Sequence, residues 1–276
     1  MNFNKYKHVI KHYDVKISKY QYRINLKKLT LKKKKSLGRS FGTIVTWHRG
    51  GGVKRNFRTL YLNQDLTYLN NNIGKDFAIL RSIEYDPNRS AFIGAIQFKE
   101  GGFSNIIVSA NMKVGNIICY SKEYNSILHV GDLLKLRYAP IGIPIYNLEK
   151  FPGSGAVYSK AAGVYSTLLT KDLNYGTILL PSGEERLFDL ECTVTLGVPS
   201  NIYNKFHRKY KAGTNRMLNK RPTVRGVAMN PIDHPHGGGQ GKTGAGRPSV
   251  SPWGKLTKGV PTRKKSIRNK FIIKKR

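Results

Sequence analysis

Between residues 40 and 200 the apolar residues fall in short β-branched or aromatic runs, interrupted by turn-forming residues at intervals of about ten positions. That rhythm marks an all-β chain, because a helix would need apolar residues at three- and four-residue spacing. It predicts strands over 42–48, 57–62, 77–85, 91–98 and 105–110, with Asp86-Pro87-Asn88-Arg89 turning the chain between the third and fourth. A second set is predicted over 133–138, 143–148, 164–170, 177–180 and 185–190, with Pro181-Ser182-Gly183 between the last two. Five short strands suit one small barrel, so the body reads as two barrels in series. From residue 199 the periodicity fades, apart from one short basic helix expected within 205–217.

Charge changes this picture more than composition does. The formal net charge is +34, from 49 Lys and Arg against 15 Asp and Glu. Residues 1–36 hold 12 Lys and Arg against the single acid Asp14, and residues 203–276 hold 20 against the single acid Asp233. What lies between is nearly balanced and has the composition of a globular body. The chain is therefore a basic tail, a body and a second basic tail. Such tails repel themselves and stay open unless phosphates neutralise them, and duplex nucleic acid offers one charge per about 1.7 Å of axis. A membrane surface fits less well. A basic interfacial helix needs a continuous apolar face, which the Pro- and Gly-rich stretch 221–258 cannot form, and no apolar run approaches the length of a membrane span.

Cys119 and Cys192 lie far apart in apolar surroundings and read as buried free thiols of an intracellular protein. The first 31 residues lack the apolar core of a secretory signal and are rich in Lys and Tyr, so no cleavable address is expected. The abundance of Asn, Ile, Tyr and Lys, all with AT-rich codons, points to an AT-rich genome.

Residues 221–242 are the most informative stretch. Pro231 and Pro235 exclude helix and ladder, while Gly237, Gly238, Gly239 and Gly241 let a backbone approach a neighbour closely. The stretch is expected to be extended, and ordered only against a polyanion. Gly241-Lys242-Thr243 matches the end of a phosphate-loop motif, but the required first glycine falls on His236 and no strand leads in. Asp233, His234 and His236 lack the further ligands of a metal site, and adjacent Asp and His do not form a triad geometry, so donation to RNA or stacking on it is the preferred reading. Trp47-His48-Arg49-Gly50-Gly51-Gly52-Val53-Lys54-Arg55 is a second glycine-basic element, read as a loop inserting between phosphates. A free-standing nucleic-acid-binding protein and a histidine-dependent transferase stay open as alternatives.

Gly50-Gly51-Gly52, Glu84-Tyr85-Asp86-Pro87-Asn88-Arg89-Ser90, Arg221-Pro222-Thr223-Val224-Arg225-Gly226, Met229-Asn230-Pro231 and Asp233-His234-Pro235-His236-Gly237-Gly238-Gly239 closely resemble, in this order, the large-subunit ribosomal protein L2 (uL2) family. The resemblance runs from about residue 38 to the C-terminus. It implies a mainly β fold: a basic extension over 1–36, an OB-type five-stranded RNA-binding barrel over 37–125, an SH3-like barrel over 126–200, and a long, irregular basic extension over 201–276 that threads rRNA. It further implies a structural constituent of the large ribosomal subunit that supports the peptidyl transferase region and subunit association. The residue corresponding to His234 has been considered as a catalytic group in that family; an RNA-catalysed reaction on a protein scaffold fits better.

The residues expected to meet RNA are His48, Arg49, Gly50, Gly51, Gly52, Lys54 and Arg55 in the first loop, Asn88 and Arg89 at the turn, and Lys160 in the second barrel. In the tail they are Lys211, Arg216, Lys220, Arg221, Arg225, Gly226, Met229, Asn230, Asp233, His234, His236, Gly237, Gly238, Gly239, Lys242, Arg247 and Trp253. No cofactor is expected, with Mg²⁺ or K⁺ entering through rRNA. The implied partners are large-subunit rRNA, neighbouring ribosomal proteins and the small subunit at the intersubunit face, with no membrane. The implied location is the mitochondrial matrix, with plastid or bacterial cytoplasm as alternatives. The chain departs from the family pattern at Val53, at Gln240-Gly241-Lys242, at Ser154-Gly155-Ala156 and at Met217, where the family has His, Glu-Gly-Arg, Lys-Gly-Gly and a nearby Trp respectively.

Overall fold

The computed structural model describes residues 29–32, 38–61, 76–98, 101–121, 128–241, 243–263 and 270–275. The expected N-terminal extension lies largely outside them, as does Lys242. In chain order the strands are β1 Thr30–Lys32, β2 Arg39–Ser40, β3 Thr43–Ile44, β4 Asn56–Arg58, β5 Asp76–Glu84, β6 Ile93–Phe98, β7 Phe103–Ile107, β8 Ile117–Ser121 and β9 Leu133–Lys135. They continue with β10 Pro144–Tyr146, β11 Leu148–Glu149, β12 Ala156–Tyr158, β13 Ser166–Lys171, β14 Tyr175–Leu179, β15 Glu185–Asp189, β16 Thr193–Leu196 and β17 Ile272–Lys274; the one α-helix among the described residues is α1, Ala212–Met217. The described residues fall in two compact units, one within Met1–Lys33, Arg55–His207 and Arg268–Arg276, the other within Lys34–Lys54 and Arg208–Ile267.

The first unit is a mainly β body whose eleven-stranded sheet runs β17-β15-β14-β13-β10-β16-β9-β8-β5-β6-β7. Its OB-like half is built on β5, which pairs antiparallel with β6 and β8. Alternation along β5 sends Ala78 and Leu80 inward, where they meet Ile96, Val108, Met112, Ile118 and Tyr120 in one core. The SH3-like half packs Leu136, Ile145, Leu148, Leu168, Ile178, Phe188, Val194 and Leu196 in a second. Parallel pairing of β8 with β9 joins the halves, Tyr120 opposite Leu133. Successive residues of a strand face opposite ways, so Leu133 enters the first core and Leu134 the second. Tyr146 is fully buried at the seam with Ala91 and Ile107, and its hydroxyl donates to the Ile107 carbonyl at 3.1 Å.

Two buried carboxylates pin loops to this body. Asp132 accepts the Cys119 and His129 N–H groups at 2.9 and 2.7 Å, and Glu149 accepts those of Thr193 and Gly155 at 2.9 and 3.2 Å. Burial pushes both above the ordinary carboxylate range, against the pull of these bonds. At the Ser154-Gly155-Ala156 departure, Ser154 Oγ closes its own loop by accepting the N–H groups of Lys150 and Phe151 at 3.1 and 3.3 Å. Cys119 and Cys192 form no disulfide with each other; Cys119 is only half-buried, while burial pushes the Cys192 thiol up to about 12, which leaves it a packing residue.

Several expected elements differ. Residues 42–48 are not a barrel strand: only Thr43–Ile44 is extended, pairing with Arg39–Ser40 across a Phe41-Gly42 loop with φ of 48° and 81°, in the second unit. Val45 and Thr46 then donate to the Gly38 carbonyl at 2.8 and 2.9 Å, which turns the chain before a longer strand can form. Strands β8 and β16 were not expected. The basic helix expected within 205–217 divides into a 3₁₀ turn at Ile202–Phe206 and α1. The tail is not irregular throughout, since β17 pairs with β15 and Lys274 reaches Glu185 at 3.5 Å.

Candidate nucleic-acid interface

In the second unit the glycine-basic loop 47–55 is zipped to residues 217–221, which lead into the Pro- and Gly-rich stretch and lie about 170 residues further along the chain. The C-terminal end of α1 makes this possible. Asn219 takes the left-handed conformation at φ 66°, its N–H bonds Arg216 O at 3.0 Å, and the Lys220 N–H bonds Asn215 O at 3.0 Å. That is a Schellman ending with Asn in the usual Gly position, and it swings residues 219–221 away from the helix axis. Gly50 then donates to Asn219 O at 3.1 Å, Arg221 to His48 O at 2.8 Å and Val53 to Met217 O at 3.3 Å, with Arg49 bridged to Lys220. Gly52 has φ of +72°, and a Cβ there would collide with Asn219 Oδ1, so the zipper needs glycine at this position. In the same unit Arg49, Lys54, Lys211, Arg216, Lys220, Arg221, Arg225 and Arg247 are exposed.

The 226–239 stretch is not extended, as its composition led us to expect. It is coiled into consecutive turns closed by its own backbone: Met229 to Gly226 O at 3.1 Å, Asp233 to Asn230 O at 3.0 Å, Gly237 to His234 O at 2.8 Å and Gly238 to Met229 O at 3.0 Å. His234 is the centre of this knot, 8% exposed. Its Nδ1 accepts the His236 N–H at 3.0 Å, its ring stacks on His236 at 5.1 Å between centroids, and Gly226 lies so close that a Cβ would strike the imidazole. The pair is tautomerically fixed. His236 Nε2 accepts the Val250 N–H at 2.9 Å, which places its proton on Nδ1 facing Ala245 O at 3.3 Å. Local bonds and one buried ring thus supply the order that we expected only from a partner.

The first unit carries the other cationic group. Asp86, fully buried, accepts Arg89 Nε at 2.7 Å and the backbone and side-chain N–H groups of Asn88 at 2.8 and 3.0 Å, with Arg58 at 4.0 Å. Asn88 also donates to Asn56 O at 2.7 Å, and Arg55 to Pro87 O at 3.1 Å. Burial opposes ionisation of Asp86, but the Asn88 N–H groups and the Arg89 guanidinium outweigh it and hold the carboxyl below its ordinary range. Lys160 donates to Ala156 O at 2.7 Å; burial, and then the charge of Arg89, depress its ammonium. One buried anion thus sets Arg58, Arg89 and the Asn88 turn in fixed orientations, an arrangement suited to forked contacts with phosphate. Arg58 and the anchoring role of Asp86 escaped the sequence reading. The spacing of an acid three residues before Arg across a Pro turn was the available signal for Asp86; Arg58 is brought in by folding.

A depressed carboxylate contributes stability above its unfolded pKa and loses it as pH falls through the folded one. The thermal midpoint of the full chain is therefore expected to exceed that of Asp86→Asn by a constant amount near neutrality, with the gap closing as pH drops below the ordinary Asp value of 3.8. A gap unchanged down to pH of about 2 would contradict this reading.

Among the described residues no group of three His, Cys, Asp or Glu side chains comes together to hold a metal ion, and no helix is long and apolar enough to cross a membrane. A body of two small β domains carrying cationic loops defines an RNA-binding protein of the ribosomal kind, and the comparisons agree. Residues 26–120 match the family model "Ribosomal Proteins L2, RNA binding N-terminal domain", and residues 129–254 match "Ribosomal Proteins L2, C-terminal domain". The chain is 44% identical over 252 residues to the large ribosomal subunit protein uL2 of Orientia tsutsugamushi (strain Ikeda), covering 91% of this chain and 89% of that one. It is 46% identical over 235 residues to the uL2 of Rickettsia bellii (strain OSU 85-389), covering 85% and 83%. To the large ribosomal subunit protein uL2m of Reclinomonas americana it is 45% identical over 250 residues, covering 90% and 87%. This chain belongs to the L2 (uL2) family of large-subunit ribosomal proteins.

Proposed function

We propose that the chain acts as an rRNA scaffold in the large subunit, supporting the peptidyl transferase region and the approach of the small subunit, and that it is not itself an enzyme. The observation that carries this is the zipper between the glycine-basic loop 47–55 and residues 217–221. It holds Arg49, Lys220 and Arg221 exposed on one short ladder, and the tail that supplies two of the three has Asp233 as its one acid. Lys and Arg displace condensed counterions, and glycine lets the backbone approach phosphates. The working division is 1–36, 37–125, 126–200 and 201–276, with rRNA contacts from the two cationic groups described above. Neighbouring ribosomal proteins complete the set of partners. The mitochondrial matrix is the proposed location, supported by the Asn-, Ile-, Tyr- and Lys-rich composition and by the likeness to a mitochondrial uL2m.

The buried setting of His234 argues for a structural role. Replacing it with Ala removes the acceptor for the His236 N–H and the ring against Gly226. Ribosomes carrying His234→Ala are expected to assemble poorly, while those that form keep the wild-type pH dependence of peptide-bond formation. Loss of a titrating step near the ordinary His pKa of about 6.5 would contradict the scaffold role.

A further inference from the structure

The chain has two tryptophans, and the fold brings both into one pair in the second unit. Trp47 and Trp253 lie with ring centroids 6.2 Å apart and planes within 16° of parallel, yet they remain 54% and 76% exposed. Side chains of this size normally place most of their surface in a core or an interface. Their near-parallel planes and this exposure leave flat aromatic surface of both rings open to solvent. Both rings are held by tight turns. Arg49 N–H closes the Trp47 turn on Thr46 O at 3.2 Å, and Gly254 N–H closes the Trp253 turn on Ser251 O at 2.9 Å. A small hairpin fixes the latter from below, with Val250 bridged to Leu256 and Thr257 N–H on Ser249 O at 3.0 Å.

Cationic residues lie beside the pair in sequence. Arg49 stands two residues after Trp47 and Lys255 two after Trp253, and the Arg221 N–H bonds the carbonyl of His48, next to Trp47, at 2.8 Å. A nucleic acid supplies both phosphates for the cations and flat bases for the rings, the combination this surface presents. Paired bases have both faces occupied by their own stack, so the occupant must be unpaired. We propose that the outer faces of Trp47 and Trp253 form a stacking platform for an unpaired RNA base, an inference that rests on the RNA-binding reading above and names the ligand of one part of that surface. The sequence pattern marked Trp253 without its partner. Trp47 was read as the first residue of the glycine-basic element 47–55, but it was not among the residues expected to meet RNA.

Because these are the two tryptophans of the chain, fluorescence excited at wavelengths beyond the absorption of its 16 tyrosines reports this platform. The full chain is titrated with a single-stranded oligoadenylate of about 12 nucleotides, and separately with a duplex of the same length, while the anisotropy of an end label follows total binding. The single strand is expected to quench the fluorescence in step with binding, and the duplex to bind with little quenching. Trp253→Leu is expected to weaken single-strand binding roughly tenfold, with Trp253→Phe, which keeps a flat ring, recovering most of it. Binding without quenching, or a Trp253→Leu chain that binds as tightly as wild type, would overturn the platform and leave the RNA-binding reading standing. No binding by anisotropy overturns both. Should Trp253→Leu fail to fold by circular dichroism, the quench test is run on Trp47→Phe, where Trp253 alone reports, and the same two outcomes decide.

Discussion

Raising monovalent salt from about 50 to 200 mM is expected to weaken binding of the isolated chain to large-subunit rRNA by about a thousandfold or more. The size follows from the number of cations presented. Eight Lys and Arg side chains of the second unit are exposed, at positions 49, 54, 211, 216, 220, 221, 225 and 247. Each phosphate neutralised releases condensed counterions, and six to ten such contacts give a loss of about 10³ to 10⁵ over that range. Filter binding or anisotropy across a salt series measures the slope. A change of less than about tenfold would mean that the charge of +34 is solvated surface and that affinity comes from elsewhere.

The second large effect is expected at Asp86, although this residue has no exposed surface. Asp86→Ala leaves Arg89 Nε and the Asn88 N–H groups without their acceptor in a site that water does not reach freely. Removing one partner of a buried pair costs about 3 to 5 kcal/mol, and because Arg89 and Arg58 retain 20% and 23% exposure we expect about 3 kcal/mol here. That corresponds to a fall in Tm of about 6 to 12 °C for a body of this size. RNA affinity is expected to fall by about tenfold as well, since two arginines lose their fixed orientation. Denaturant titration and anisotropy on the same preparation give both quantities. Wild-type stability in Asp86→Ala would show that the arginines are ordered without this carboxylate.

How much of this was written in the chain differs from element to element. β5 and β6 were legible because apolar runs rich in β-branched and aromatic residues at 77–85 and 91–98 flank the turn Asp86-Pro87-Asn88-Arg89. β16 went unread although Thr and apolar residues alternate along Thr193–Leu196, because the run is only four residues long. The 42–48 run is rich in β-branched and aromatic residues and still fails to join a barrel, because Gly38 and the Phe41-Gly42 loop turn it back on itself before it finds a long partner. At the interface, residue types were readable and geometry was not. Glycine next to cations marked the loop at 48–55 and the tail at 221–242, yet nothing in the pattern said that Gly50 would bond Asn219. Proline and glycine suggested an extended tail, and the burial of His234 against Gly226 reversed that expectation, since a single ring placed centrally lets short-range bonds close a compact knot. Asp86 and Trp47 acquire their roles only from residues that folding brings beside them, Arg58 in one case and Trp253 in the other.

The most direct test of the scaffold account is ultraviolet cross-linking with mass spectrometry on ribosomes purified from the source. Peptides spanning the zipper and the knot, residues 46–55 and 216–241, are expected to carry nucleotides of the large-subunit rRNA, with those from 225–241 mapping near the catalytic centre. Peptides from this stretch recovered free of nucleotide, or a chain absent from the large subunit, would contradict it.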